Sequence, residues 1–167
     1  MITYIDKLSF EKLRSVFINY LHLVYCAKHH LIERFTEIED DANFNDLKLA
    51  IDETIDDTRN QLLRIEAIYI LMDVEPNLTS CDSFINLAED AFYKIQKHSM
   101  EPQVRDMYLL FYMQNVENLE MASWQVLEII ANKLKMEPVR AMLRECFDEA
   151  KADRALLLSI MRKLIAG

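Results

Sequence analysis

A single glycine, Gly167, stands among 167 residues, and this scarcity constrains the fold more than any other feature. Loops that cradle phosphate need glycines where the backbone approaches the ligand, so P-loop and dinucleotide-binding folds are excluded. Hairpins closed by Asn-Gly or Asp-Gly are absent, which argues against a β-rich fold. Long helices remain. Hydrophobic residues make up 51% and charged residues 28%, the balance of a globular chain. The length, with no repeat, linker or low-complexity tract, predicts one domain over residues 1–167.

Apolar spacing divides the chain into helices. Ser9 is a candidate N-cap for a first helix from about Phe10 to Asp40, with Leu13, Phe17, Leu21, Val24, Leu31, Phe35 and Ile38 on its apolar line. The cluster Asp40-Asp41-Ala42-Asn43 breaks the pattern. A second helix follows Asn45 and runs to about Asp73, with Leu47, Ile51, Ile55, Thr58, Leu62, Ile65, Tyr69 and Met72 on its stripe; Pro76 closes the region. A shorter helix runs from Cys81 to about His98. Pro102 opens a third long helix that ends near Met136, and Pro138 opens a last one that reaches Ile165. Four long helices with a shorter one between the second and third predict an all-α four-helix bundle of the up-down, ferritin-like kind, the extra helix lying in the crossover.

The net charge of −9 disfavours nucleic acid and anionic membrane surfaces, and no apolar run approaches the roughly 20 residues of a membrane span. Met1 to Lys7 lacks the layout of a secretory signal. Cys26, Cys81 and Cys146 are odd in number, far apart and without metal-type spacing, so they read as reduced thiols and the chain as cytoplasmic. His29 and His30 are adjacent and point about 100° apart on a helix, so they read as surface residues and not as a chelating pair. The high apolar content and the aromatics Tyr108, Phe111, Tyr112 and Trp124 point to core packing and to a homodimer contact.

The informative residues are charges set inside apolar faces. Lys28 lies on the line Leu21, Val24, Leu31, Phe35. Thr54, Asp57 and Gln61 form a polar row on the second helix. Glu117 and Glu120, one turn apart, lie on Leu110, Met113, Trp124, Leu127; Glu149 and Asp153 lie on Val139, Met142, Cys146, Leu156, Ile160. A carboxylate in an apolar core must be paired, metal-bound or protonated. Inward carboxylates from several helices of a bundle are also how di-iron and di-manganese sites are made.

On these residues the chain resembles the YciE/YciF family of bacterial ferritin-like proteins, whose expression is stress-associated. The resemblance runs from about Leu13 to Leu158. Leu13-Arg14-Ser15-Val16-Phe17 and Leu21 to Lys28 follow the family's L-R-D-L-F and L-x-D-L-Y-x-A-E. Asp57-Thr58-Arg59-Asn60-Gln61 with Arg64-Ile65-Glu66 follows E-T-x-x-Q and R-L-E. Val116-Glu117-Asn118-Leu119-Glu120-Met121-Ala122 follows V-E-x-Y-E-I-A, and Asp148-Glu149-Ala150-Lys151 follows D-E-E-K. The departures fall on the acidic positions: a glutamate is replaced by Lys28, a histidine-like position by Thr54, a glutamate is shortened to Asp57, and further acids become Ala150 and Arg154.

The resemblance implies a degenerate di-metal centre in a non-catalytic, stress-associated protein without a cofactor. In this reading Lys28 forms an internal ion pair with Glu117 and Glu120 where relatives hold metal. The alternative is an iron or manganese site rearranged onto Asp57, Glu117, Glu120 and Glu149, with Asp153 in support, carrying ferroxidase or peroxide chemistry. A third reading is a dimeric helical scaffold for protein interaction.

Overall fold

A computed structural model describes residues 9–78 and 81–167, apart from the side chains of residues 83, 84, 87 and 88. The stretch Met1–Lys7, read above for a targeting signal, lies outside the described residues. Five helices follow one another: α1 (Phe10–Ile38), α2 (Asn45–Met72), α3 (Asp82–Lys97), α4 (Pro102–Lys133) and α5 (Glu137–Ala166). This is the expected all-α four-helix bundle, with α3 in the crossover between the second and third long helices.

Local chemistry sets the helix ends. The Ser9 side chain accepts a hydrogen bond from the Lys12 backbone N–H at the start of α1. Asp73 (φ 53°) ends α2 in the left-handed conformation, and Lys135 (φ 57°) does the same in the turn between α4 and α5. With no glycine at either point, these residues take a conformation that glycine occupies at less steric cost. Pro102 opens α4, where its missing N–H costs nothing. Asp106, fully buried on α4, accepts hydrogen bonds from the backbone N–H groups of Asn43 (3.0 Å) and Phe44 (2.7 Å), tying the α1–α2 connection to the third long helix.

The apolar faces do not merge into one core. One cluster gathers Phe17, Leu21, Leu62, Ile65, Tyr69, Trp124, Leu127 and Leu143. A second gathers Phe35, Ile38, Leu47, Ile51, Leu109, Leu110, Met113 and Ile160. Between these two lobes, at the middle of all four long helices, lie the buried polar residues Lys28, Thr58, Gln61, Glu117, Glu120 and Asp153. No helix among the described residues is long and apolar enough to cross a membrane.

The cysteines differ from the sequence expectation. Cys26 on α1 and Cys81 at the start of α3 form a disulfide, their Cα atoms 5.8 Å apart, and only Cys146 is free. The separation of 55 residues hides this proximity, which arises only when the crossover folds back against α1. The cytoplasmic expectation therefore loses the argument from reduced thiols.

Candidate functional site: a polar belt across the bundle

Each long helix sends polar side chains into the gap between the lobes. Lys28 occupies the inward line of α1 and is 1% exposed. Its ammonium donates to Gln61 Oε1 of α2 and to Glu120 Oε1 of α4. Gln61 passes the connection on, its Nε2 donating to Glu149 Oε2 of α5 at 3.1 Å. These partners fix the orientation of the Gln61 amide, because its oxygen must face the ammonium and its nitrogen the carboxylate. Arg64, one turn further along α2, completes the chain with a two-pronged contact on Glu149, Nη1 to Oε2 at 2.8 Å and Nη2 to Oε1 at 2.6 Å. Its Nε also lies 3.2 Å from Glu145. The order Glu120–Lys28–Gln61–Glu149–Arg64 links all four long helices.

Glu117 has a different environment. It is buried beside this chain, and its Oε2 has no hydrogen-bond partner among the described residues. Burial pushes its carboxyl far above the usual carboxylate range, the neighbouring Glu120 adds to the shift, and the Lys28 charge opposes it. Lys28 forms its direct bond with Glu120 alone of the two glutamates. Asp153, also buried, is pushed up to about 7 by burial, then by Asp57, Glu53 and Glu120, against the opposing charge of Lys28. Asp57 stands half-buried at the belt's edge, raised first by burial and then by Glu149 and Glu53, while Arg64 and Lys28 pull it down.

Lys28, Glu120 and Glu149 thus share one network, with Glu117, Asp57 and Asp153 beside it. The fit to a metal is poor on the chemistry of the donors. Glu120 already faces an ammonium, Glu149 is taken by a guanidinium and an amide, and a fixed cation stands among the acids. Among the described residues no three His, Cys, Asp or Glu side chains are arranged to hold a metal ion.

Several contacts lay outside the sequence reading. Arg64 shares the face of Asp57 and Gln61 at spacings of seven and three, which was a legible signal. Asp106 carried none, since its partners are backbone groups more than 60 residues away. His29 and His30 are half-buried rather than at the surface: Tyr25 meets the His29 ring edge-on at 4.6 Å, and His30 Nε2 lies 2.9 Å from Glu89. His98 pairs with Glu101 at 3.1 Å, and His22 Nδ1 meets the Tyr69 hydroxyl at 2.9 Å. Trp124 and Tyr112 are core residues, whereas Phe111 is exposed. Burial raises the Cys146 thiol to about 12, so it stays protonated and packs as a small apolar group.

The family DUF892, a domain of unknown function, matches residues 12–166. Protein YciF of Escherichia coli (strain K12) is 26% identical over 149 residues, 87% of each chain. Two solved structures share the fold. YcfI of Rhodopseudomonas palustris has a TM-score of 0.83 at 18% identity, covering 92% of this chain and 96% of that one. The Escherichia coli stress protein YciF has a TM-score of 0.82 at 22% identity, covering 92% and 97%.

Proposed function

Because the chain belongs to the DUF892 family of YciE/YciF-type proteins, we propose that its polar belt is a degenerate di-metal centre in which Lys28 serves as a built-in cation. The observation that carries this reading is the ammonium of Lys28, buried between the apolar lobes and bonded to Glu120 and Gln61. A carboxylate cannot stay charged at that depth without a compensating cation. A lysine supplies one from within the chain, whereas a metal is gained and lost. The protein then has a structural, non-catalytic role, stress-associated like the Escherichia coli relative that carries that description. We place it in the cytoplasm, where the Cys26–Cys81 pair is reducible.

Protein purified without chelators tests the reading by metal analysis followed by ferrous ion titration. The expected result is a chain that neither carries nor takes up stoichiometric iron or manganese. About two metal ions per chain, lost on substituting Asp57, Glu117, Glu120 or Glu149, would establish the rearranged iron or manganese site instead.

One further observation favours a scaffold that pairs with itself. Leu63 (64% exposed) and Ile70 (81% exposed) lie seven residues apart on the outer side of α2 and present an apolar stripe without a partner among the described residues. Light scattering should report a homodimer that Leu63→Glu with Ile70→Glu converts to monomer; an unsubstituted chain already monomeric would remove this reading.

A further inference from the structure

Beside the belt, α1, α3 and α4 line a half-open chamber of about 470 Å³. Small-molecule sites fall in the range of roughly 300–1,000 Å³. Its walls are mostly apolar: Val24 and Leu31 from α1, Ile85 and Ala91 from α3, Val116 and Leu119 from α4. Described contacts join α3 to α1 beside it. Glu89 in the middle of α3 is held by His30 (2.9 Å) and Arg34 (2.6 Å) of α1, and the Cys26–Cys81 disulfide, when oxidised, adds a covalent tie at the start of α3.

The polar groups on the lining define what would fit. Lys28 and Glu120 carry opposite charges, as do Asp90 and Lys94, so no surplus charge faces the space. An anionic head would gain no net attraction and would meet a chain of net charge −9. Two hydrogen-bond donors on the lining are incompletely used. The ammonium of Lys28 has three N–H groups, of which Gln61 and Glu120 take two. The Tyr112 hydroxyl is buried and has no partner among the described residues. A buried donor without an acceptor is costly, and an oxygen atom brought in by a ligand relieves it.

We propose that this chamber binds an uncharged small molecule with an apolar, aliphatic or aromatic body and one carbonyl or hydroxyl oxygen. The oxygen accepts from the Lys28 ammonium or the Tyr112 hydroxyl, and the body fills the space between α3 and α4. This site stands whether or not the belt ever held a metal, since it uses Lys28 only as a donor.

Titrating the full chain with prodan, a neutral naphthyl ketone whose emission shifts to the blue in apolar surroundings, tests the assignment. The expected result is saturable binding of one dye per chain, with quenching of Trp124, the single tryptophan. The anionic dye 1-anilinonaphthalene-8-sulfonate should bind at least tenfold more weakly. Ala91→Trp and Leu119→Trp, which fill the chamber from opposite walls, should each weaken prodan at least tenfold while helicity by circular dichroism is unchanged. Equal binding of the two dyes, no saturable prodan binding, or undiminished binding by a folded filled variant would overturn the proposal. Should both filled variants fail to fold, the two dyes compared on the unsubstituted chain decide it.

Discussion

The belt contains two ion pairs held by the same glutamine. Lys28–Glu120 lies on the inner side, with side chains 2% and 9% exposed, and Arg64–Glu149 lies on the outer side, each 24% exposed. The outer pair has the better geometry, two parallel N–H···O contacts from a planar guanidinium. The inner pair has the more demanding surroundings, with the buried Glu117 carboxyl beside it and the Trp124 ring centroid 5.7 Å from the ammonium. Burial therefore matters more than geometry in deciding which pair the fold depends on. Water can replace either partner of the outer pair, but nothing present can replace Lys28 except a proton on Glu120 or a foreign cation.

That contrast predicts its largest effect at Lys28. Lys28→Ala leaves Glu120 uncompensated between the lobes and should cost about 3–5 kcal/mol in chemical denaturation. A loss below about 1 kcal/mol would mean that the inner pair behaves like an exposed one. Removing both charges together sharpens the point. Lys28→Met with Glu120→Leu should recover most of the loss, because an apolar pair of similar volume avoids desolvating ions. If the double variant is as unstable as the single one, the pair itself, and not the orphaned charge, holds the helices in register.

The outer pair should respond less. Arg64→Ala leaves Glu149 near solvent with Gln61 still donating to it, so the expected loss is about 1 kcal/mol. Raising salt from about 0.1 M to 1 M should shrink the Arg64→Ala effect and leave the Lys28→Ala effect nearly unchanged, since ions screen only the pair that water reaches. Equal salt sensitivity of the two variants would show the belt to be wetter than its burial implies.

The inner half of this comparison was legible in the sequence and the outer half only in part: spacing marks Glu149 and sets Arg64 on the face of Gln61, but not their contact. Lys28 interrupts an apolar line at helical spacing, and Glu117 and Glu120 interrupt another, so their burial follows from periodicity once the helices are placed. The helices were readable for the same reason, with Ser9, Pro102 and Pro138 marking where three of them begin. Which acid takes the lysine depends on the rotation of α4 against α1, and periodicity does not encode that; the ammonium meets Glu120 directly and Glu117 only through space. The Arg64 clasp, the Asp106 staple and the Cys26–Cys81 disulfide join residues 55 or more positions apart. Each depends on how the crossover or a neighbouring helix packs, which no local signal carries. The chamber beside α3 was invisible for the same reason.

The pH dependence tests the belt where neither pair reaches. Asp153 is buried without a cation of its own, and its folded-state pKa rises from 3.8 to about 7. Between about pH 4 and pH 7 the folded chain therefore holds a proton that the unfolded chain has lost, so raising the pH through this window lowers stability. Below it both states are protonated, and above it both are ionised, so the loss is complete by about pH 8. Asp153→Asn keeps the shape and removes the charge. Relative to the unsubstituted chain, the variant should be close to neutral at pH 4 and become progressively more stable towards pH 8, the gain levelling off above pH 7. Glu117 shifts in the same direction and titrates in both chains, so some slope persists. Urea midpoints at pH 4, 6 and 8 read the difference directly. Parallel profiles would mean that Lys28 or Arg64 compensates Asp153 after all, and that one cation serves more of the belt than its hydrogen bonds indicate.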